Sequence, residues 1–311
     1  MAYAAGDVIL DDHYNAFVTS LNAMFGAGSA DLGYNQSALA TVSAGDTIAA
    51  VNWTNLQAKL KLISTHQGNN GNITIDTVDN VAAGDTVDII ANLATDIGTL
   101  TTSAAAQTNG VGFASAVASN MTNTSTFVGV GTQINVLAFA NSASARSFFN
   151  LGGKVECSWG LSGHTSDAKA NGWAAVATAS GTYQIFGKAS GKTGGSGTIN
   201  INLEAKGFHN LSSSEQTLFK QFDATSSYTA NHIQLLVTLN AAPATAVSIS
   251  VKSLWTDAAA DTTNFNKNIY NVQDQVDGTK TTNFSYSAAA VGSIPAAYGT
   301  PGWTPGTNTF T

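Results

Sequence analysis

The sequence predicts an α+β protein in which an N-terminal helical repeat is followed by a C-terminal antiparallel β-sandwich, with a jelly roll as the sandwich's more specific form. Three observations carry that prediction. The tripeptide Ala-Gly-Asp recurs at Ala5, Ala44 and Ala83, each 39 residues after the last, and each copy precedes an apolar stripe of helical period. From about residue 132 the apolar positions instead alternate with a period of two, which fits strands. Between these regions lies the stretch 144–163, SARSFFNLGGKVECSWGLSG, which holds the only arginine, the only cysteine and one of three glutamates.

The elements follow in order. In the first copy Tyr14, Phe17, Val18, Leu21, Met24 and Phe25 fall three and four apart behind Asp11 and Asp12, which are placed to cap a helix. The second copy repeats the stripe with Trp53, Leu56, Leu60 and Ile63, and the third with Ile90, Leu93, Ile97 and Leu100, weakened by Gly98. Asp7, Asp46 and Asp85 are expected at the three helix entrances, opposing the dipole and filling cap bonds. A lone helix cannot bury such a stripe, so Tyr14, Phe17, Trp53 and Leu56 are expected to pack helix on helix or against other copies of the chain. Residues 1–105 are read as this helical attachment region, and 106–131, rich in Thr, Ser, Asn and Gly, as a polar connector.

Within the stretch 144–163, Gly152 and Gly153 supply a tight turn and Val155, Cys157 and Trp159 alternate into a core. Arg146 is expected to be an anchor to backbone or subunit, with Phe148 and Phe149 as structural neighbours. Residues 132–290 are read as the sandwich. A short helix is expected over 166–179, and a strand at 183–186 is paired with one at 198–208. Leu218, Phe219 and Phe222 are assigned to a short helix or turn behind Ser212 and Glu215, which have capping-box spacing. Strands 232–239 and 247–255 form a hairpin, and a last strand includes Phe284 and Tyr286. Residues 291–311, with Pro301 and Pro305, are read as an extended tail.

Composition narrows the function. Charged residues are 10% of the 311, against roughly a quarter in an average protein. With a net charge of −7 and one arginine, a phosphate-tracking groove and nucleic acid are not expected. No apolar run approaches the ~20 residues needed to span a bilayer, and residues 1–10 lack a basic segment followed by a long apolar core, so neither membrane insertion nor export is expected. One cysteine rules out an internal disulfide framework; Cys157 is read as a small buried hydrophobe. Scarce charge points to surfaces that neighbours cover.

Motifs that suggest chemistry fail on their spacing. The run from Gly187 to Thr193, GKASGKT, has one residue too few between its first glycine and the Gly-Lys pair for a phosphate-binding loop. Ser162 before Gly163 and His164 lacks the pattern of a nucleophile elbow, and nothing in the sequence marks a serine, base and orienting acid as a trio. The five histidines show no zinc-ligand spacing. No catalytic residue, metal or cofactor is therefore assigned, and the chain is read as not an enzyme.

The LISTHQG ending of the second stripe (residues 62–68), the stretch 144–163, LSSSEQTLFK at 211–220 and VDGT at 276–279 together resemble virion structural proteins of T4-like marine tailed bacteriophages. The resemblance implies a tail, baseplate, neck or fibre-appendage protein, made in the host cytoplasm and assembled into the virion. Its expected partners are copies of itself, with a trimer favoured, and other virion proteins. The alternative reading is a carbohydrate-binding adhesin whose sandwich stacks sugar rings on Trp159, Trp173 or Trp303, with a host surface glycan as partner.

Overall fold

The computed structural model describes residues 11–26, 32–68, 73–74, 90–195, 206–224, 228–259, 275–290, 292, 294–295 and 298–311. The chain is mixed α/β, and its described residues form five α-helices and two antiparallel five-stranded sheets. It divides into two compact units, one of Met1–Ala114, Ala143–Gly153 and Ala288–Gly299, the other of Ser115–Ser142, Lys154–Ser287 and Thr300–Thr311. These boundaries replace the four successive blocks expected from the sequence. The stretch 144–163 is cut in two, its helix going to the first unit and its strand to the second.

In the first unit, α1 (Asp11–Phe25), α2 (Ala50–Gln67) and α3 (Ile90–Ala106) bury the expected stripes. Tyr14, Val18, Leu21, Leu56, Leu60, Ile63 and Leu100 are all covered within this one chain, each such side chain contributing about 1.5–3 kcal/mol on burial. Phe17 alone of the first stripe is half-buried. The Tyr14 ring meets Trp53 edge-on at 5.5 Å, tying α1 to α2. Two asparagines on α1 hold the segment that follows it. Asn15 donates to Val42 O and accepts from Val42 N, both at 2.9 Å, and Asn22 does the same with Leu39 O and N at 2.9 and 2.7 Å. Each amide thereby behaves as a rung of strand pairing offered from a helix.

The sequence reading missed α4 (Ser142–Asn150), a short helix whose signal is Ala145, Phe148 and Phe149 at helical spacing. It ends at the paired glycines, whose expected tight turn serves as the helix cap. Gly153 N donates to Phe148 O and Gly152 N to Phe149 O, with Gly152 at φ +90°, the left-handed end that favours glycine. Among the described residues, Asp46 does not cap α2. It accepts from Ser43 N in a turn, and the Asn52 side chain takes the Ala49 N–H instead. Asp7, Asp85 and the Ala-Gly-Asp copies that contain them lie outside the described residues.

The second unit contains β1 (Val117–Asn123), β2 (Val130–Ala138), β3 (Lys154–Ser162), α5 (Ala168–Ser180), β4 (Thr182–Ile185), β5 (Ser190–Thr193), β6 (Gln216–Phe222), β7 (His232–Leu239), β8 (Ser248–Thr256), β9 (Thr279–Ser287) and β10 (Gly302–Phe310). One sheet runs β1-β9-β3-β4-β5 and the other β10-β2-β8-β7-β6. The 232–255 hairpin forms in the register its pattern asks for, with Leu239 opposite Ile249 and Val237 opposite Val251. Inner-face side chains join the sheets: Trp159 of β3 stacks on Phe219 of β6 at 5.3 Å and donates to Ser253 Oγ of β8 at 2.8 Å.

Four expectations change here. The supposed connector contains β1, and the supposed tail is β10, an edge strand that tolerates Pro305 because it needs no N–H on that side and is bulged between Pro305 and Asn308. The Leu218–Phe219–Phe222 segment is β6, not a helix or turn. A bulge between Thr217 and Phe219 leaves Leu218 and Phe219 both buried, which hides the strand period in the sequence. Strand β4 pairs with β5 through a tight turn at Phe186–Ala189, so the GKASGKT run is a hairpin. Most of the partner strand expected at 198–208 lies outside the described residues, although Phe208 N does donate to Phe186 O.

Candidate functional site

The feature of the second unit with most bearing on function is the side formed by β1 and β10. Neither strand contains a charged residue, and Thr304 to Thr309 are all exposed, as are Val117, Ala118, Asn120 and Thr122. An edge like β1, without lysine or proline, ordinarily invites another strand. Here the carbonyls of that edge are taken up from within. Val117 O accepts from Trp303 Nε1 at 3.1 Å, Ser119 O from Asn135 Nδ2 at 3.2 Å, and Met121 O from Gln133 Nε2 at 2.9 Å. These alternate carbonyls point to one edge of the strand, and side chains of β2 and β10 in the other sheet satisfy them. Asn308 Nδ2 adds a bond to Thr122 O at 2.8 Å. The two sheets are thus laced on this side by side-chain N–H donors where a barrel would use backbone ones.

The lacing continues into the core. Gln133 Oε1 accepts from Thr282 Oγ1 at 2.5 Å, so both ends of that fully buried amide are used. Gly131 lets the Phe310 ring lie directly against the β2 backbone, where a Cβ would strike the ring. The outcome is an exposed face of uncharged side chains, whose burial would not require stripping water from ions.

Several ionisable groups are engaged internally. Lys169 and Asp257 pair at 2.7 Å with both side chains 1% exposed. Lys280, also buried, donates to Ser125 O and to Gly278 O at 2.8 Å, with its ammonium 5.7 Å from the Phe127 ring centroid; burial pulls its pKa down to about 8, against the opposing pull of Asp277. Burial raises the Glu156 carboxyl, but Lys154 at 2.8 Å, Gln184 and Ser287 outweigh it and hold the group below its ordinary value. Cys157 is buried, and burial pushes its thiol well up, away from nucleophilic character. Asp277 and Asp167 both bond Thr165 at the exposed mouth of α5, and Asp167 caps that helix by accepting from Ala170 N at 2.7 Å. His164 Nδ1 lies 2.6 Å from Thr165 O, so it is turned to backbone and not to Ser162. Among the described residues no group of three or more His, Cys, Asp and Glu is set to hold a metal ion, and no helix is long and apolar enough to cross a membrane.

The structure distributes the residues singled out in the sequence as follows. Tyr14, Trp53, Leu56, Phe148 and Phe149 are buried in the first unit by its own chain, so they are core and are not faces held open for other copies. Arg146 is partly buried on α4. Gly152 and Gly153 cap that helix. Trp159 and Trp173, proposed as sugar platforms, are 6% and 1% exposed and closed to a ring; Trp303 is half-buried on β10. Sequence reasoning missed Gln133, Asn135 and Asn308. For Gln133 and Asn135 the signal was present as polar residues at inward positions of a strand, but an amide's partner is not written in its neighbours; Asn308 is exposed and carried no such signal. No family, curated protein or solved structure matches the chain.

Proposed function

We propose that this chain is a structural component of a tailed-phage virion, of the tail, baseplate, neck or fibre-appendage type. It acts by docking to copies of itself, as a trimer, and to other virion proteins, and performs no turnover. The reading takes the second unit as a β-sandwich; the nested pairing of β1 with β9 and of β2 with β8 supports a jelly-roll-like winding, which the meanders β3-β4-β5 and β6-β7-β8 then depart from. The observation that carries the function is the uncharged β1/β10 side, on which the β1 carbonyls of Val117, Ser119, Met121 and Thr122 are already satisfied by Trp303, Asn135, Gln133 and Asn308. Such a side offers side chains to a neighbour and, along β1, few free carbonyls to an incoming strand, which suits stoichiometric assembly over open-ended strand addition.

Light scattering on the purified chain and a proteome of purified particles test this. A trimer that is present in particles in whole-number ratio to other virion proteins is the expected result. A chain that stays monomeric and is missing from particles refutes it. The adhesin reading keeps one observation, the half-buried Trp303 flanked by Phe284 and Tyr286, each with ring centroids 6.2 Å away. Glycan-array binding that disappears in Trp303→Ala would favour it.

A further inference from the structure

Lys169 and Asp257 form the driest ion pair among the described residues. Their side chains are each 1% exposed, against 13% and 16% for Lys154 and Glu156 and 25% and 45% for Lys252 and Glu215. Both partners are held firmly. Asp257 N donates to Gly129 O at 2.8 Å, and the next two residues, Ala258 and Ala259, donate their N–H groups to the buried Asn231 side chain. Lys169 sits in the first turn of α5, with its Nζ 5.7 Å from the Tyr228 ring centroid, and one turn on Trp173 packs against Trp255. The site is odd for a lasting ammonium. A cation in a helix's first turn opposes the dipole, and a desolvated pair recovers its burial cost poorly.

The same contact holds the two groups that a condensation would join: Nζ lies 2.7 Å from Oδ2, amine nitrogen against carboxyl group, in an interior from which water is excluded. We propose that Lys169 and Asp257 join in an intramolecular isopeptide bond that ties α5 to the end of β8. The ammonium passes one proton to Oδ2 along the existing contact, leaving a neutral amine beside a neutral acid. The amine attacks Cγ; the Nζ–Cγ bond forms and the Cγ–Oδ2 bond breaks. Oδ2 departs as water, carrying that first proton and a second one from the same nitrogen, which keeps its third. No oxidant, cofactor or second molecule is required. The product is an uncharged amide, which removes both the buried charges and the conflict with the helix dipole. This bond is independent of the assembly role proposed above.

The full-length chain, denatured and weighed by intact-mass spectrometry, decides the matter. The expected mass is lower than the sequence mass by one water, about 18 Da, and proteolysis is expected to yield a branched peptide joined through Lys169 and Asp257. Lys169→Arg is expected to restore the full mass. A wild-type chain of full sequence mass overturns the proposal. So does a deficit that persists in Lys169→Arg, since a cyclised aspartate would lose water without the lysine. Should that variant fail to fold, fragmentation of the wild-type peptide still decides, because a linear Lys169 peptide refutes the bond.

Discussion

Side-chain amides, more than ions, join this protein together, and Gln133 shows what one of them is worth. Its amide serves Met121 O on one side and Thr282 Oγ1 on the other, inside the core. Gln133→Leu keeps comparable volume but strands a carbonyl and alters a hydroxyl's partner, so it is expected to cost about 1–3 kcal/mol in urea denaturation. The histidines make a second residue-scale prediction. Burial lowers the pKa of His66 against the opposing pull of its contact with Leu151 O, and burial likewise lowers that of His232. The unfolded chain therefore takes up these protons first. Stability is fully present above about pH 6.5 and falls as pH drops below it towards the folded values. Denaturation midpoints measured across this range are expected to decline less steeply in His66→Gln.

Elements are fixed at their ends by groups that look interchangeable in sequence and are not. Asp167 accepts from Ala170 N as the cap of α5, whereas Asp46 bonds Ser43 N four residues ahead of α2. Asp167→Ala is expected to lower stability by about 0.5–2 kcal/mol, and Asp46→Ala to stay within about 0.5 kcal/mol of wild type, both read by thermal or chemical unfolding. Equality of the two would show that the cap is not contributing. Gly152 is more demanding than either. Its φ of +90° and the Asn109 side chain that a Cβ would strike both oppose any other residue. Gly152→Ala is expected to cost at least about 1–2 kcal/mol, the penalty for left-handed backbone alone, while α4 keeps its helical signal elsewhere.

At the scale of the molecule, the scarcity of charge has two outlets: amides that lace strands inside, and a bland exposed side outside. If that side is the assembly face, a charge placed there should disrupt association without harming the fold, because Thr307 is exposed. Thr307→Lys is expected to shift the oligomer to monomer by light scattering with little change in unfolding midpoint. An unchanged oligomer would move the interface elsewhere. The first unit gives the counter-lesson. Its stripes left packing on one another and packing on other copies both open, and α1, α2 and α3 cover Tyr14, Leu21, Leu56 and Leu100 with residues of the same chain, so apolar periodicity there reports a core and carries no information about partners.

The period of three to four residues identified α1, α2 and α3, and strict alternation identified β3 and the β7–β8 hairpin. Periodicity is a relation among near neighbours, and a sequence states it directly. What tertiary structure alone decided is where the polar side chains go. Asn135 finds its carbonyl 16 residues away and Trp303 finds one 186 away, distances at which no local pattern speaks. The same long reach makes a strand of the proline-bearing β10, gives the bulged β6 its ladder, and sets Lys169 against Asp257 in a dry interior.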